Sequence, residues 1–175
     1  MESRYHVLLG RIVQELNLEV LYAPDDYEHI QIKTEDVNRP GLQLAGFFDY
    51  FVPQRIQLIG LVETTYLTNL TSDERRESFE RLFSYEIPAL IIAHGVEAFP
   101  ECLEMAEKYK RVILRTPEST TNIMSAIISF LRQMLSPRIT RHGVLVEVYG
   151  EGLLILGESG VGKSETAIEL VKRGH

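Results

Sequence analysis

Residues 157–164 have the residue types and the spacing best suited to chemistry. Their sequence, GESGVGKS, fits the phosphate-binding pattern Gly-x-x-x-x-Gly-Lys-Ser/Thr. Glycines let the backbone curl so that successive N–H groups point at phosphate oxygens. Lys163 can reach the β- and γ-phosphates of a nucleotide, and the Ser164 hydroxyl can bind a bridging Mg²⁺. The predicted phosphate site comprises Gly157, Glu158, Ser159, Gly160, Val161, Gly162, Lys163 and Ser164.

The elements on either side of this loop favour the same interpretation. The apolar run 153–156 predicts a strand that enters the loop, and residues 165–172 predict an amphipathic helix that leaves it. The N-terminus of such a helix adds partial positive charge where the phosphates would lie. The alternative is a glycine-rich turn that binds nothing, and the strand–loop–helix context makes that alternative the weaker one.

The residues around the loop predict a second domain that begins near residue 142. A strand is predicted at 144–149, and Gly150-Glu151-Gly152 joins it to the run 153–156, which indicates a β-hairpin. The preceding stretch 136–141 contains a proline and two arginines, a composition typical of a linker. We therefore predict a first domain over 1–135, a linker over 136–141 and the start of a P-loop domain over 142–175.

The first domain is predicted to be α/β with a largely parallel sheet flanked by helices. Three apolar runs, at 55–62, 89–93 and 112–114, are typical of strands buried on both faces. Helices predicted after each of them give the alternation of parallel βαβ units. Those helices begin at Thr71, Phe99 and Ser119; a helix over 3–16, strands at 18–21 and 30–33, and a short helix after Arg39-Pro40-Gly41 complete the prediction.

Composition excludes several classes of protein. The 175 residues carry 18 Lys and Arg against 25 Asp and Glu, a net charge of −7, which disfavours a general nucleic-acid binder. No apolar run approaches the ~20 residues that span a bilayer, and no secretory signal is visible at the N-terminus. Cys102 is the only cysteine, so no internal disulfide can form and a cytoplasmic location is expected.

The residues after Ser164 are too few to complete a phosphoryl-transfer site. Such a site needs a further carboxylate for Mg²⁺ and a group that positions or deprotonates the nucleophile. Glu165 and Glu169 lie on the helix of the motif itself and are poorly placed to act across the phosphates. We therefore expect the chain to stop inside its second domain, as a fragment or a truncated product.

Three segments resemble one family, HPr kinase/phosphorylase. His142-Gly143-Val144-Leu145-Val146, then Tyr149-Gly150 and GESGVGKSETAIELVKRGH, resemble the start of its catalytic domain. The run NRPGLQLAGFFDY, residues 38–50, and Ser119-Thr120-Thr121 resemble its N-terminal domain. The resemblance covers the whole chain, and the loop with its flanks is its most specific part.

The resemblance implies a bacterial, cytoplasmic enzyme that uses ATP and Mg²⁺ to phosphorylate a serine of HPr, the phosphocarrier of the sugar phosphotransferase system. It also implies the reverse phosphorolysis, a role in the regulation of carbon metabolism, and a hexamer built mainly through catalytic domains. The N-terminal domain is implied to be similar to the first domain of MurF-type peptidoglycan-precursor ligases.

The resemblance also implies roles for particular residues. Lys163 would stabilise charge on the transferred group, Ser164 would bind Mg²⁺, and His142 would be an active-site residue near the catalytic acid. That acid, an Asp, would follow Arg173-Gly174-His175, so the chain as given is expected to be inactive.

Two alternatives remain open. One is a non-catalytic interaction or regulatory domain that carries a stub of a P-loop domain. The other is an unrelated P-loop ATPase or a ligase of peptidoglycan synthesis.

Other chemically suggestive residues have plainer interpretations. His94 and Glu97 follow a buried strand and are expected to stabilise a loop, and Cys102 is expected to be a buried, inert thiol. The acidic turn 25–29 lacks the ordered spacing of a metal loop. The aromatic run 47–51 is expected to lie in the core, with a partner surface as the alternative.

Overall fold

A computed structural model describes residues 5–137 and 140–174. The chain divides into two compact units, residues 1–136 and 137–175. Parts of two predictions, the beginning of the first helix at residues 3–4 and the middle of the linker at 138–139, lie outside the described residues.

A five-stranded sheet forms the centre of the first unit. Its strands, in spatial order, are β2 (Glu19–Tyr22), β7 (Ile113–Arg115), β6 (Leu90–Ile92), β5 (Ile56–Ile59) and β4 (Val37–Asn38). Strands β4 to β7 are parallel, and β2 pairs antiparallel with β7. The predicted α/β class with a largely parallel sheet is confirmed, while the likeness to MurF-type ligases stays a prediction.

The middle strands of this sheet are buried on both faces. In register, Ile91 of β6 lies between Leu58 of β5 and Leu114 of β7, and all three side chains belong to one buried cluster. The next residues along β5 and β6, Ile59 and Ile92, belong to a second buried cluster. Because successive side chains of a strand point to opposite faces, both faces of the sheet are mostly apolar and must be covered.

Helices cover the two faces separately. Helices α1 (Leu9–Glu15) and α6 (Thr120–Leu135) pack in the first cluster. Helices α4 (Ser72–Phe83) and α5 (Pro100–Tyr109) pack in the second. The remaining elements of the unit are β1 (Val7–Leu8) paired with β3 (Gln31–Ile32), and the short helices α2 (Gly41–Leu44) and α3 (Leu61–Thr68).

Helices α4 and α6 begin where the sequence places a capping residue. Thr71 caps α4 by accepting a hydrogen bond from the Glu74 N–H at 3.3 Å, and the Glu74 carboxylate accepts from the Thr71 N–H at 2.8 Å. Ser119 caps α6 by accepting from the Asn122 N–H at 3.2 Å. The predicted starts of these two helices, and the short helix α2, are confirmed.

The predicted strand over 55–62 is too long, because α3 begins inside it. The Gly60 N–H donates to Glu63 at 2.9 Å and so caps the first turn of this helix. Arg39 donates to both carboxylate oxygens of Glu63, at 2.7 and 2.9 Å. A Cβ at position 60 would lie 2.2 Å from the Thr120 hydroxyl, so the approach of α6 requires glycine here.

The aromatic run 47–51 divides between core and surface. The rings of Phe48 and Phe51 pack against Tyr85, with centroids 5.0 and 5.2 Å away. Phe47 and Tyr50 are exposed, Tyr50 completely, so the expectation of a core position is wrong for these two. Tyr50 has a positive φ of 60°, in the left-handed region that is uncommon for residues with a side chain.

The second unit contains a hairpin and a helix. Strands β8 (Gly143–Val148) and β9 (Glu151–Leu156) pair antiparallel, and α7 spans Lys163–Lys172. Tyr149 and Gly150 form the turn, with φ values of 52° and 83°. Two consecutive positive φ values are typical of the type I′ turns that match strand twist.

No helix among the described residues is long and apolar enough to cross a membrane.

Glu101 links two helices of the first unit through a buried ion pair. Its carboxylate accepts from Arg75 of α4 at 3.1 Å, and both side chains are largely buried. Arg75 also donates to the carbonyl of Leu70 at 2.7 Å. Hydrogen bonds from Arg75 and Ser72 lower the pKa of Glu101 to about 2.

We expect Glu101→Gln to lower the free energy of unfolding at neutral pH by about 2 kcal/mol, between the values for exposed and buried pairs. Because the pKa of Glu101 is lower in the folded chain than in the unfolded one, its contribution is complete above the unfolded-state value of 4.5. That contribution is lost as the pH falls toward about 2. Urea unfolding of both proteins at neutral and acidic pH measures the two effects.

Glu104→Gln is the matched control. Glu104 lies on the same helix and pairs with Arg76 at 3.2 Å, but its side chain is 52% exposed. We expect this variant to change the free energy of unfolding by less than about 0.5 kcal/mol. Equal losses in the two variants would contradict the special role of the buried pair.

Candidate functional site

The loop predicted to bind phosphate connects β9 to α7. It begins directly after Leu156 and ends where the helix starts at Lys163. Gly160 and Gly162 both have a φ of +86°, in the left-handed region that side chains disfavour. Gly157 meets a different constraint, because a Cβ there would lie 2.9 Å from a methyl carbon of Val161. These three glycines allow the tight curl of the loop.

The start of α7 differs from the starts of α4 and α6. Its N-cap residue is Gly162, which has no side chain to accept from the first N–H groups. The first hydrogen bond along the helix runs from the Thr166 N–H to the Gly162 carbonyl at 2.9 Å. The N–H groups that precede Thr166 in α7 therefore receive no cap from residue 162. They have the orientation and partial charge that favour an anion.

The side chain of Lys163 folds back over the preceding loop. Its ammonium group donates to the carbonyl of Gly157 at 2.9 Å and to that of Glu158 at 2.5 Å. Both contacts are with backbone oxygens, and the described residues give Lys163 no carboxylate partner. The cation is held beside the N–H groups of the loop and remains available to phosphate.

The register of the hairpin places His142 beside the loop. Gly143, the first residue of β8, pairs with Leu156, the last residue of β9. His142 therefore comes beside Gly157, and both line a concave site of 640 Å³. The predicted residues in this lining are His142, Gly157, Glu158, Ser159, Gly160, Gly162, Lys163 and Ser164, and Val161 is the predicted residue that is not among them.

Glu165 also lines this site, although its place on the helix of the motif favoured no role across the phosphates. Its position in the first turn of α7, directly after Ser164, is the signal that could have identified it. A carboxylate at this place can accept a hydrogen bond or, together with Ser164, approach a cation held by phosphates.

The described residues contain no cluster of three His, Cys, Asp or Glu side chains that could hold a metal by themselves. Ser164 is exposed and supplies the hard oxygen that Mg²⁺ prefers, so binding of Mg²⁺ together with phosphate fits this loop.

The other suggestive side chains of the first unit have structural partners. His94 has a φ of 61°, and its Nε2 lies 3.2 Å from the Thr120 hydroxyl, which ties the loop to α6. Glu97 pairs with Arg115 at 2.5 Å. Both residues stabilise the edge of the sheet, as the sequence indicated.

Cys102 is completely buried in the second cluster. Burial raises the pKa of its thiol, and the neighbouring Glu101 carboxylate raises it further. The inert thiol expected from the sequence is confirmed.

Sequence comparison with known families decides the affiliation of the chain. Residues 7–131 match the HPr Serine kinase N terminus. Residues 133–175 match the HPr Serine kinase C-terminal domain. The chain belongs to the HPr serine kinase family. The resemblance that the loop and its flanks suggested is therefore confirmed.

Individual relatives carry the same family name. The HPr kinase/phosphorylase of Caldicellulosiruptor bescii is 54% identical over 98% of this chain and 55% of its own length. The HPr kinase/phosphorylase of Alkaliphilus metalliredigens is 50% identical over 97% of this chain and 54% of its own length. The chain thus spans about half the length of the curated relatives it matches.

One solved structure shares the fold at low sequence identity. It is the crystal structure of the CBS and DRTGG domains of the regulatory region of Clostridium perfringens pyrophosphatase, in complex with its activator diadenosine tetraphosphate. The TM-score is 0.50 at 16% identity, over 70% of this chain and 46% of that one. This likeness concerns the fold alone.

The environment of Cys102 predicts its reactivity. We expect iodoacetamide to leave the native chain unlabelled at mildly alkaline pH, because the thiol is buried and its pKa is raised. The same chain in urea is the control and should be labelled rapidly. Mass spectrometry measures the incorporated label, and rapid labelling of the native chain would contradict the buried position.

Proposed function

We propose that residues 142–174 form the phosphate-binding start of a P-loop kinase domain that uses ATP and Mg²⁺. One observation carries the proposal: the loop 157–164 presents uncapped helix N–H groups, a lysine and a serine hydroxyl, within a segment that matches the HPr serine kinase C-terminal domain. In this proposal residues 1–135 are a separate N-terminal domain and residues 136–141 a linker.

The residues of the loop have separate tasks in this proposal. The N–H groups at the start of α7 bind the phosphate oxygens, and Lys163 exchanges its bonds with the loop carbonyls for bonds with the terminal phosphates. Ser164 supplies one oxygen to Mg²⁺, which neutralises charge on the phosphates when it is bound. His142, at the side of the loop, can form a hydrogen bond with a phosphate oxygen or with a neighbouring group of the site.

The proposed reaction is transfer of a phosphoryl group to a serine of the phosphocarrier HPr, with phosphorolysis of phosphoserine-HPr as its reverse. The names of the relatives, HPr kinase/phosphorylase, support both directions. The hexamer and the cytoplasmic location implied by the resemblance belong to the same proposal. A role of the protein in the control of carbon metabolism follows from its substrate.

Lys163→Ala tests the loop directly. We expect the variant to bind ATP in the presence of Mg²⁺ at least about tenfold more weakly, because the variant lacks a charge-assisted hydrogen bond to phosphate. Isothermal titration of the chain with ATP measures the affinity. Lys172→Ala, at the other end of α7, is the matched control and should bind as the unchanged chain does.

Transfer to HPr is tested in a chain that extends over the full length of the relatives. We expect Lys163→Ala to abolish phosphorylation of HPr, measured by mass spectrometry of HPr, while residues 1–135 stay folded. Retained phosphorylation in this variant would contradict the role of Lys163. Hydrolysis of ATP without any HPr product would favour the unrelated P-loop ATPase.

A second candidate function concerns the first unit. It has two buried clusters of its own and lies outside the candidate loop. The similar solved fold belongs to the regulatory region of a pyrophosphatase. We therefore keep, as the alternative, a non-catalytic interaction or regulatory domain. Binding of a partner that persists in Lys163→Ala without any phosphoryl transfer would favour it.

A further inference from the structure

A cleft of 930 Å³ lies in the first unit at the amino-terminal edge of the parallel sheet. Its walls come from segments that precede three parallel strands: Gln54 before β5, residues 86–88 before β6, and residues 110–111 before β7. The segment 30–34, which contains β3, closes the remaining side. Parallel strands start at one common edge, so the topology brings these distant segments together.

Three cations line this cleft: Lys33, Lys110 and Arg111. None of them forms an ion pair with any carboxylate of the residues that the structure describes. Most other cations of the unit do have such a partner. The paired cations are Arg39, Arg55, Arg75, Arg76, Arg81, Lys108, Arg115 and Arg132.

Arg11 is the remaining described lysine or arginine of the unit without a carboxylate partner, and it does not line the cleft. The unpaired cations of the unit therefore concentrate at one place. A generally basic composition does not explain this concentration, because the chain has a net charge of −7. The three cations outnumber the two carboxylates of the lining, Asp26 and Glu86, and none of them lies within ion-pair distance of either one. Such a local excess of positive charge attracts an anionic ligand.

Arg111 is held in position for a ligand. Its Nε donates to the carbonyl of Phe83 at 2.9 Å, and the side chain is half-buried. This bond fixes the plane of the guanidinium and leaves its terminal nitrogens to other partners. A fixed guanidinium fork matches two oxygens of a phosphate group. Lys110 beside it has a φ of 55°, in the left-handed region.

The remaining lining narrows the class of ligand. The floor includes the apolar side chains of Ile30 and Ile87. Asp26 and Glu86 also line the cleft, and their carboxylates accept hydrogen bonds from neutral donor groups but repel further anionic ones. The ligand must therefore combine a phosphate with an uncharged part that carries hydrogen-bond donors.

We propose that this cleft binds a small phosphate-bearing molecule, at a site separate from the loop 157–164. The cations Lys33, Lys110 and Arg111 bind its phosphate, and the acidic and amide side chains bind the uncharged part. Inorganic pyrophosphate is a suitable probe for the cation half of the cleft.

A titration of the isotopically labelled 175-residue chain with pyrophosphate, followed by amide NMR shifts, tests the proposal. The two sites are read separately, because the amides of Gln54 and Lys110 report on the cleft and those of Gly160 and Gly162 report on the loop. The titration is performed in the Lys163→Ala variant as well. We expect saturable shifts at the cleft amides in both proteins.

The decisive variant combines Lys33→Gln with Lys110→Gln. Both side chains are exposed and neither forms an ion pair among the described residues, so we expect the variant to fold. We expect at least about tenfold weaker binding at the cleft, because the variant lacks two of the three cations that bind the phosphate. Arg11→Gln is the matched control, which deletes an unpaired cation outside the cleft, and should leave the affinity unchanged.

Three results would overturn the proposal: cleft amides that do not shift, cleft shifts that disappear in Lys163→Ala, or equal weakening by Arg11→Gln. The last result would indicate attraction to overall charge rather than a site. If the cleft amides shift and the loop amides do not, the result contradicts the proposed function of the loop and supports the cleft proposal.

Discussion

The first unit depends on one constraint: its central strands are mostly apolar on both faces and must be covered on both sides. Leu58, Ile91 and Leu114 face one layer of helices, and Ile59 and Ile92 face the other. Each βα unit can satisfy this requirement only by returning a helix across the sheet, which explains the parallel topology. The charged side chains of such a unit lie at the ends of its strands and on its outer surface.

Charged residues of the first unit lie at both ends of the sheet. At the carboxyl end, Arg39 pairs with Glu63, and Arg115 pairs with Glu19 at 2.8 Å as well as with Glu97. Burial raises the pKa of Glu63, but the hydrogen bonds from Arg39 and Gly60 lower it by more, so the carboxylate stays charged. These cations already have carboxylates and serve the fold. At the amino end Arg55 pairs with Asp36 at 2.7 Å, whereas Lys33, Lys110 and Arg111 have no ion-pair partner among the described residues.

The sequence predicts the parts of this structure whose signals are local. The apolar runs before α4, α5 and α6 identify β5, β6 and β7, and the Thr71–Glu74 spacing identifies a helix start. Helix α3 was missed because the apolar residues of β5 continue into it without a polar break. The carboxylate of Glu63, three residues after Gly60, was the available signal for its start. The two-residue strands β1, β3 and β4 carry no pattern of their own and exist only through their pairing.

The position of His142 depends on the turn, which sequence alone placed wrongly. A turn through Gly150-Glu151-Gly152 would put Val146 opposite Leu156, and His142 would then lie beyond the end of the strand pair. The observed turn at Tyr149-Gly150 puts Gly143 opposite Leu156 instead. This difference of three residues moves His142 by about 10 Å along the hairpin, at about 3.3 Å per residue. Left-handed backbone at two adjacent residues, one of them a tyrosine, therefore brings the imidazole beside the loop.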